Sequence, residues 1–344
     1  MTEKSYGGNN GVREHTGGKP IKVKSAPTHI SNSQSSQSRM SSDTKISKAL
    51  EKEISDYKKA GEISIKVKEY AKSIIKPDMP LLEIAQKIHK EIEKLGAEAA
   101  FPVNLSIDDI AAHYHPTLED TTKATGLLKI DIGVHINGFI ADTAFSMDLT
   151  KEKKYKNLME ASEKALENAL TLLNSNPSLS EIGETIQKTI SEKGFSPIIN
   201  LSGHELGNYV VHAGITIPNN ANNSPKKLES GAFAIEPFAT TGEGRVIDGP
   251  PSNIYAITIP KTPRSPTARK ILEYAWEKYQ TLPFSLRELQ EKFGAFARLG
   301  LKELIQLGVI HDYPQLIEAS RKPVSQAEHT FIKTPDGKII ITTK

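Results

Sequence analysis

The sequence predicts an α/β (α+β) fold made of two related helix–helix–strand halves, with a smaller helical subdomain inserted in the second. Three observations carry this reading. A helical segment, LEIAQKIHKEIEKLG at 82–96, recurs as SEIGETIQKTISEKG at 180–194. Pairs of β-prone runs flank the turn sequences Asn137-Gly138 and Pro335-Asp336-Gly337. A segment opened by prolines near residue 260 carries three short helical patterns of its own.

Along the chain, residues 1–45 are rich in Ser, Gly, Asn, Gln and Lys and lack periodic apolar residues. Such a composition cannot bury enough surface to offset chain entropy, so a disordered, basic, polar tail is expected. The tail holds seven Lys/Arg against three acids, whereas the whole chain is only +3, so the body from 46 to 344 is close to neutral. A basic tail can touch RNA or a ribosome electrostatically. A solvated leader without a fixed partner is the preferred reading, with transient ribosome contact left open. The neutral body argues against a specific nucleic-acid ligand. There is no cysteine, which excludes disulfides, thiolate nucleophiles and Cys-based zinc sites. No apolar run is long enough for a membrane span or a signal-peptide core, so a cytoplasmic protein with no membrane association is expected.

From Ile46 the apolar spacing turns helical and continues through Tyr70 and Ile74, until Lys76-Pro77-Asp78-Met79-Pro80 breaks it. A second helix runs from about Leu81 to Leu95 and stops at Gly96, in the place of a C′ glycine. In the repeat, Ile84/Ile182, Ile88/Ile186, Ile92/Ile190 and Gly96/Gly194 coincide. Spacing of four recurs in any amphipathic helix. The shared glycine, the preceding prolines and the Asn-Leu-Ser that follows each copy (104–106 and 200–202) make duplication the better account. A pseudo-two-fold domain places a site at its seam.

KIDIGVHINGFIADTAF, residues 129–145, reads as a hairpin about Asn137-Gly138. With those two residues as the turn, Gly133 faces Asp142 and Asp131 faces Ala144. The two aspartates then share one face as diagonal neighbours, roughly 7–8 Å apart at the backbone. Ile130, Ile132, Val134, Phe145, Thr143 and Ala141 form the opposite face, which is expected to pack on helices. Gly133 is expected to leave open space beside the carboxylates.

Residues 261–320 predict helices at about 267–280, 285–294 and 297–307, the second opened by a Ser285-x-x-Glu288 capping box. VIHDYPQLIEAS then reads as a short β-ribbon, which makes the segment resemble an inserted winged-helix module. Its basic residues Arg287, Arg298 and Lys302 are interleaved with Glu288, Glu291 and Glu303, so a structural or substrate-wall role is preferred to nucleic-acid binding. The chain closes on a hairpin about Pro335-Asp336-Gly337.

Two carboxylates on a hairpin face are by themselves better read as a solvated polar face than as hard oxygen ligands for metal ions. Other residues must decide. Glu236 lies in FAIEPF, an apolar context where a lone carboxylate is costly. GHELGNYVVHAG supplies His204 and His212, AEHTFIK supplies Glu328, and AAHYHPT supplies His113. His204 and His113 each have a reading as a satisfied core residue, and Glu328 one as a surface group at a strand start.

AAFPVNLSIDDIAAHYHPT, KIDIGVHINGFIADTAF, NLSGHELGNYVVHAGITIPN, FAIEPFATTGEG and AEHTFIK, in this order, resemble the type 2 methionine aminopeptidases, pita-bread metallopeptidases of family M24, and their archaeal form in particular. The resemblance spans about residues 50–344. It implies the pita-bread fold and two divalent metal ions per chain (Co, Mn, Fe or Zn), with Asp131, Asp142, His204, Glu236 and Glu328 as ligands. Asp131 would chelate one ion, His204 and Glu236 the other, and Asp142 and Glu328 would bridge both. It implies catalytic roles for Glu236 in proton transfer and for His113 and His212 in hydrogen bonding to substrate. Phe101, Ile215 and the insertion are candidates for the wall of a methionine pocket. The implied reaction is removal of the N-terminal methionine from nascent chains and peptides with a small second residue, by metal-activated water, in a monomeric enzyme. His115 departs from the threonine expected there: a tolerated edge change is the preferred reading, over a rival metal ligand or a group that alters pH dependence. Two alternatives remain: another pita-bread peptidase (prolidase or aminopeptidase P), and a non-catalytic relative that binds RNA or ribosomes. Retention of all five ligating side chains disfavours the second.

Overall fold

The computed structural model describes residues 36–344 except Pro260, with side chains from Lys48 onward. The expected tail falls mostly outside the described residues, and so does any contact it makes. Helix α1 spans Ser36–Ile74 and thus starts before the Ile46 that apolar spacing suggested. The correction has a simple origin. Once the packed stretch from Tyr57 to Ile75 has formed the helical nucleus, each further residue adds at little cost, with or without apolar periodicity.

Helix α2 (Leu81–Lys94) follows, then α3 (Lys156–Leu172) and α4 (Leu179–Glu192) in the second half. The repeat read in the sequence is structural. Ile84, Ile88 and Ile92 of α2 and Ile182, Ile186 and Ile190 of α4 are buried alike. Both helices end in the same backbone motif. Gly96 (φ +77°) donates to Glu93 O at 2.9 Å and Ala97 to Ile92 O at 3.2 Å. Gly194 (φ +83°) donates to Ser191 O at 2.9 Å and Phe195 to Ile190 O at 3.3 Å. This is the Schellman arrangement, and a left-handed φ with no Cβ penalty is why glycine stands there twice.

Each helix pair covers the outer face of one sheet. In the first half, α1 and α2 pack on a sheet whose centre is the hairpin of Leu127–Ile136 with Phe139–Asp148. Its register is the one expected from the turn: Ile136 opposite Phe139, Gly133 opposite Asp142, Asp131 opposite Ala144. Asn137 (φ 54°) and Gly138 (φ 83°) supply the left-handed turn. Ile130, Ile132, Val134, Ala141 and Phe145 face the helices within one buried cluster. In the second half, α3 and α4 pack on a five-stranded antiparallel sheet ordered 339–341, 329–333, 231–235, 202–206, 216–218. Its first two strands are the C-terminal hairpin, turned at Gly337 (φ 85°).

The halves meet along Phe139–Asp148 and the segment 324–330. Glu328 N donates to Ala144 O at 3.0 Å, Thr143 Oγ1 to Glu328 O at 2.9 Å, and Asp142 N to Thr330 Oγ1 at 2.8 Å. This seam brings the C-terminal strand against the aspartate-bearing hairpin.

The 261–320 segment forms helices α5 (Pro266–Tyr279), α6 (Leu286–Phe293) and α7 (Phe296–Gln306) around its own apolar cluster. The Ser285/Glu288 capping box is present. The β-ribbon expected at 309–320 is instead one strand, Ile310–Glu318, paired with Val246–Ile257 on one side and Ile110–Ala112 on the other. A nine-residue strand cannot fold back on itself when both edges already have partners from the main body.

Candidate metal centre

The hairpin places Asp131 and Asp142 on its inner face, as the alternation of a two-residue period requires. The open space expected at Gly133 is absent. A Cβ there would lie 2.3 Å from Phe101 Cε1, so the aromatic ring occupies the gap beside the carboxylates. The glycine makes room for Phe101.

The remaining candidates come from the second sheet. His204 sits mid-strand in Ser202–Leu206, opposite Thr216 and Ala234. The register pairs Ile235 with His329, so Glu236 and Glu328 leave the ladder side by side, one just after its strand and one just before. Glu328 is tied to the hairpin through the seam, and Asn219 Nδ2 donates to Glu236 O at 3.1 Å.

These five residues, spread over some 200 positions of sequence, converge. Asp142, His204 and Glu328, all buried, each offer a ligand atom within 4.8 Å of the others. His204 Nε2 lies 3.7 Å from Asp142 Oδ2 and 3.8 Å from Glu236 Oε1. Asp131 joins through the side chain of Gln326, whose amide is 3.4 Å from Asp131 Oδ2 and 3.5 Å from Glu236 Oε2.

Electrostatically the cluster is incomplete by itself. Burial pushes the Asp131 carboxyl up to about 7. Asp142, Glu236 and Glu328 are raised well above the usual range, first by burial and then by the charge of neighbouring carboxylates, Asp131 among them. Burial holds His204 well below its ordinary value, as a neutral imidazole. Asp131 Oδ1, Asp142 Oδ1 and Glu328 Oε2 are buried without a hydrogen-bond partner. Orphaned oxygens of this kind are costly unless something positive sits among them. Four hard oxygen donors and one neutral imidazole fit a divalent cation, which would invert the local preference for protonated carboxylates.

Three histidines flank the cluster in different ways. The exposed ring of His212 stands edge-on to His204, with centroids 4.4 Å apart. His113 (φ 63°) donates from Nδ1 to Pro314 O at 3.2 Å, and burial then His212 lower it to about 4. Its neutral Nε2 is left as an acceptor. His115 is neither a metal ligand nor an edge residue. It is buried, donates from Nδ1 to Val103 O at 2.8 Å and accepts from Arg287 Nε at 3.2 Å. Both ring nitrogens are thus committed, one of them to a guanidinium of the insertion. Ile215 packs on the α3/α4 core, apart from the cluster that contains Phe101.

Two residues at the site were not singled out from sequence. Tyr313 meets the His113 ring edge-on at 5.6 Å. Its placement depends on the Ile310–Glu318 strand crossing to Ile110–Ala112, which no local pattern announces. Gln326 had a signal: it precedes Glu328 by two residues, so a strand puts both on one face.

The family model for metallopeptidase family M24 matches residues 55–262. The methionine aminopeptidase of Pyrococcus abyssi is 45% identical over 288 residues, covering 82% of this chain and 97% of that protein. That of Methanocaldococcus jannaschii is 42% identical over 298 residues, covering 85% and 100%. Among solved structures, a thermophilic Arx1 superimposes with a TM-score of 0.70 at 19% identity, covering 84% and 90% of the two chains. The Rickettsia prowazekii methionine aminopeptidase gives 0.60 at 19% identity, covering 86% and 98%. These two likenesses establish the pita-bread architecture and nothing more. The family and the buried Asp–His–Glu donors together mark a divalent-metal site, and the chain belongs to the methionine aminopeptidases of metallopeptidase family M24.

Proposed function

We propose that this chain removes the N-terminal methionine from nascent proteins and peptides whose second residue is small. One observation carries the reading: four carboxylates, two buried and two half-buried, close on a neutral imidazole, and three of them have an oxygen that lacks any protein donor. Asp131, Asp142, His204, Glu236 and Glu328 would hold two divalent ions, drawn from Co, Mn, Fe or Zn. Bound there, such ions would lower the pKa of a water into the neutral range and polarise the scissile carbonyl.

The chain's own groups divide the remaining work. Glu236 sits at a strand end with its side chain partly open to solvent, where a carboxylate can take a proton from water and deliver it to the departing amine. His113, with its Nδ1–H committed to Pro314, presents Nε2 to a substrate N–H. His212 has no such commitment and can donate to the oxygen on which charge develops. Phe101, packed over Gly133 beside Asp142, offers an apolar wall for the methionine side chain. The 261–320 segment, read as an inserted winged-helix-like subdomain of the type 2 enzymes, supplies Pro314 and Tyr313, which hold and flank the His113 ring.

We infer a monomer working in the cytoplasm on nascent chains; among the described residues no helix is long and apolar enough to cross a membrane. The deciding assay offers Met-Ala and Xaa-Pro peptides to protein loaded with Mn or Co. Methionine release is expected from the first. Absence of release with two metals demonstrably bound, or faster cleavage of Xaa-Pro, overturns the reading.

A further inference from the structure

Gln326 places a neutral side-chain amide between two of the carboxylates, and its seat is more elaborate than a filler requires. It is almost fully buried. Its backbone pairs with Phe238 in a short ladder. Its N–H donates to Ser146 Oγ at 2.9 Å, and Ser146 Oγ donates to its carbonyl at 2.8 Å. The main chain is therefore pinned to the hairpin on one edge and to the strand after Glu236 on the other. From that seat Nε2 lies 3.4 Å from Asp131 Oδ2 and 3.5 Å from Glu236 Oε2.

An amide nitrogen has two N–H groups, and here each has one carboxylate. Asp131 belongs to the first half and Glu236 to the second. Among the described residues, the oxygens of these two side chains have little other restraint: Asp131 Oδ1 has no partner, and Glu236 Oε1 meets the His204 ring 3.8 Å away. Like charges at this burial drive the two carboxylates apart or into protonation. A lysine or arginine could also hold them, but its charge would cancel part of what attracts a cation. A neutral donor restrains rotation and leaves the full negative charge available.

We propose that Gln326 is a positioning residue that pre-sets the rotation of Asp131 and Glu236 across the seam between the halves, so that the metal site is formed before any metal arrives. This rests on the metal assignment given above. It predicts that tight binding depends on the amide donor and not on the volume of the side chain. Outer partners of metal ligands typically set affinity by about 10- to 100-fold.

The test is calorimetric titration of metal-stripped protein with Mn(II) and with Co(II), with thermal unfolding of the same metal-free samples and the visible spectrum of the Co(II) forms. Gln326→Met keeps the volume and removes the donor. The expected result is a metal-free melting point near that of the unaltered protein, a loss of about 10- to 100-fold in affinity for the tighter ion, and a changed Co(II) spectrum. If Gln326→Met does not fold, Gln326→Asn takes its place, since its shorter amide cannot span both carboxylates, and the same outcomes apply. Unchanged affinity and spectrum overturn the proposal, while loss of binding in a parallel Asp131→Asn sample shows that the metal assignment itself stands. If Asp131→Asn also binds as the unaltered protein does, the metal assignment is wrong and the role of Gln326 falls with it.

Discussion

Helices α2 and α4 end alike, in Schellman turns built on Gly96 and Gly194, yet the sheets they cover furnish the metal centre in different ways. The first half supplies two of the five converging side chains, from adjacent strands of one hairpin and eleven residues apart. The second supplies three, His204 within one strand and Glu236 and Glu328 at the ends of two others, with Glu328 arriving from beyond the insertion. The helices start differently too. Helix α4 has a capping box in which Ser178 accepts from Glu181 N at 3.2 Å and Glu181 Oε2 accepts from Ser178 N at 2.7 Å. Helix α2 follows Pro80 without a side-chain cap, and its matching Glu83 pairs with Lys87 at 2.8 Å. Duplication thus preserved what backbone geometry demands, the left-handed glycine, and let the replaceable features diverge.

The comparison is broken most severely at the ligands. Asp131→Asn in the first half and Glu328→Gln in the second are expected to cut turnover by about 100-fold or more, since even outer partners of metal ligands reach that size. Both variants should keep their fold by circular dichroism. If one half tolerates the change with near-normal turnover, that half does not ligate metal.

Next in size is Gly133→Ala. Its Cβ would overlap the Phe101 ring, and overpacking of this kind costs about 1–3 kcal/mol. The expected readout is a lower melting point together with a raised KM for methionyl peptides, because Phe101 must shift. A melting curve that does not move would show that the ring has somewhere else to go.

Gly96→Ala and Gly194→Ala sharpen the comparison by testing its shared element. Neither added Cβ meets another atom within 4 Å, so the cost is backbone strain alone, about 1–2 kcal/mol at each site. Equal losses by chemical denaturation are expected. Unequal ones would mean that the two turns differ beyond their hydrogen bonds.

The smallest effect concerns pH. His115 is held down to about 4 by burial first and the Arg287 guanidinium second, so it is neutral in the fold. Unfolded, it titrates near about 6.5. The unfolded chain therefore binds more protons between those values, and this residue's contribution is present above about 6.5 and lost as pH falls toward 4. His115→Gln keeps a donor and an acceptor and removes that part of the acid loss. Its melting point should fall less steeply than that of the unaltered protein between those two values. Parallel slopes would place the acid sensitivity in other histidines held low, such as His113 and His329.

Much of this was legible along the chain because it is set over short distances. The Asn-Gly turn admits one register, and that register decides which face Asp131 and Asp142 share. The capping box at Ser285 and the C′ glycines are equally local. The approach of His204, Glu236 and Glu328 was legible only through family resemblance, since no spacing rule links strands so far apart. Misreadings arose where a neighbour from elsewhere intervened. Phe101 fills the space at Gly133, and Arg287 of the insertion takes up His115. Ile110–Ala112 and Val246–Ile257 turn an expected ribbon into a single strand.

By itself, then, the order of residues determined the helix pairs, their glycine stops, the hairpin register and the chemical types available at the centre, because dihedral preference and side-chain alternation act over a few residues. Tertiary structure alone decided which carboxylate oxygens are left without donors and which histidine faces the site. It also decided that one amide sits between the halves. Those outcomes depend on strands meeting across the seam, where burial and mutual charge, absent from any isolated segment, become the dominant energies.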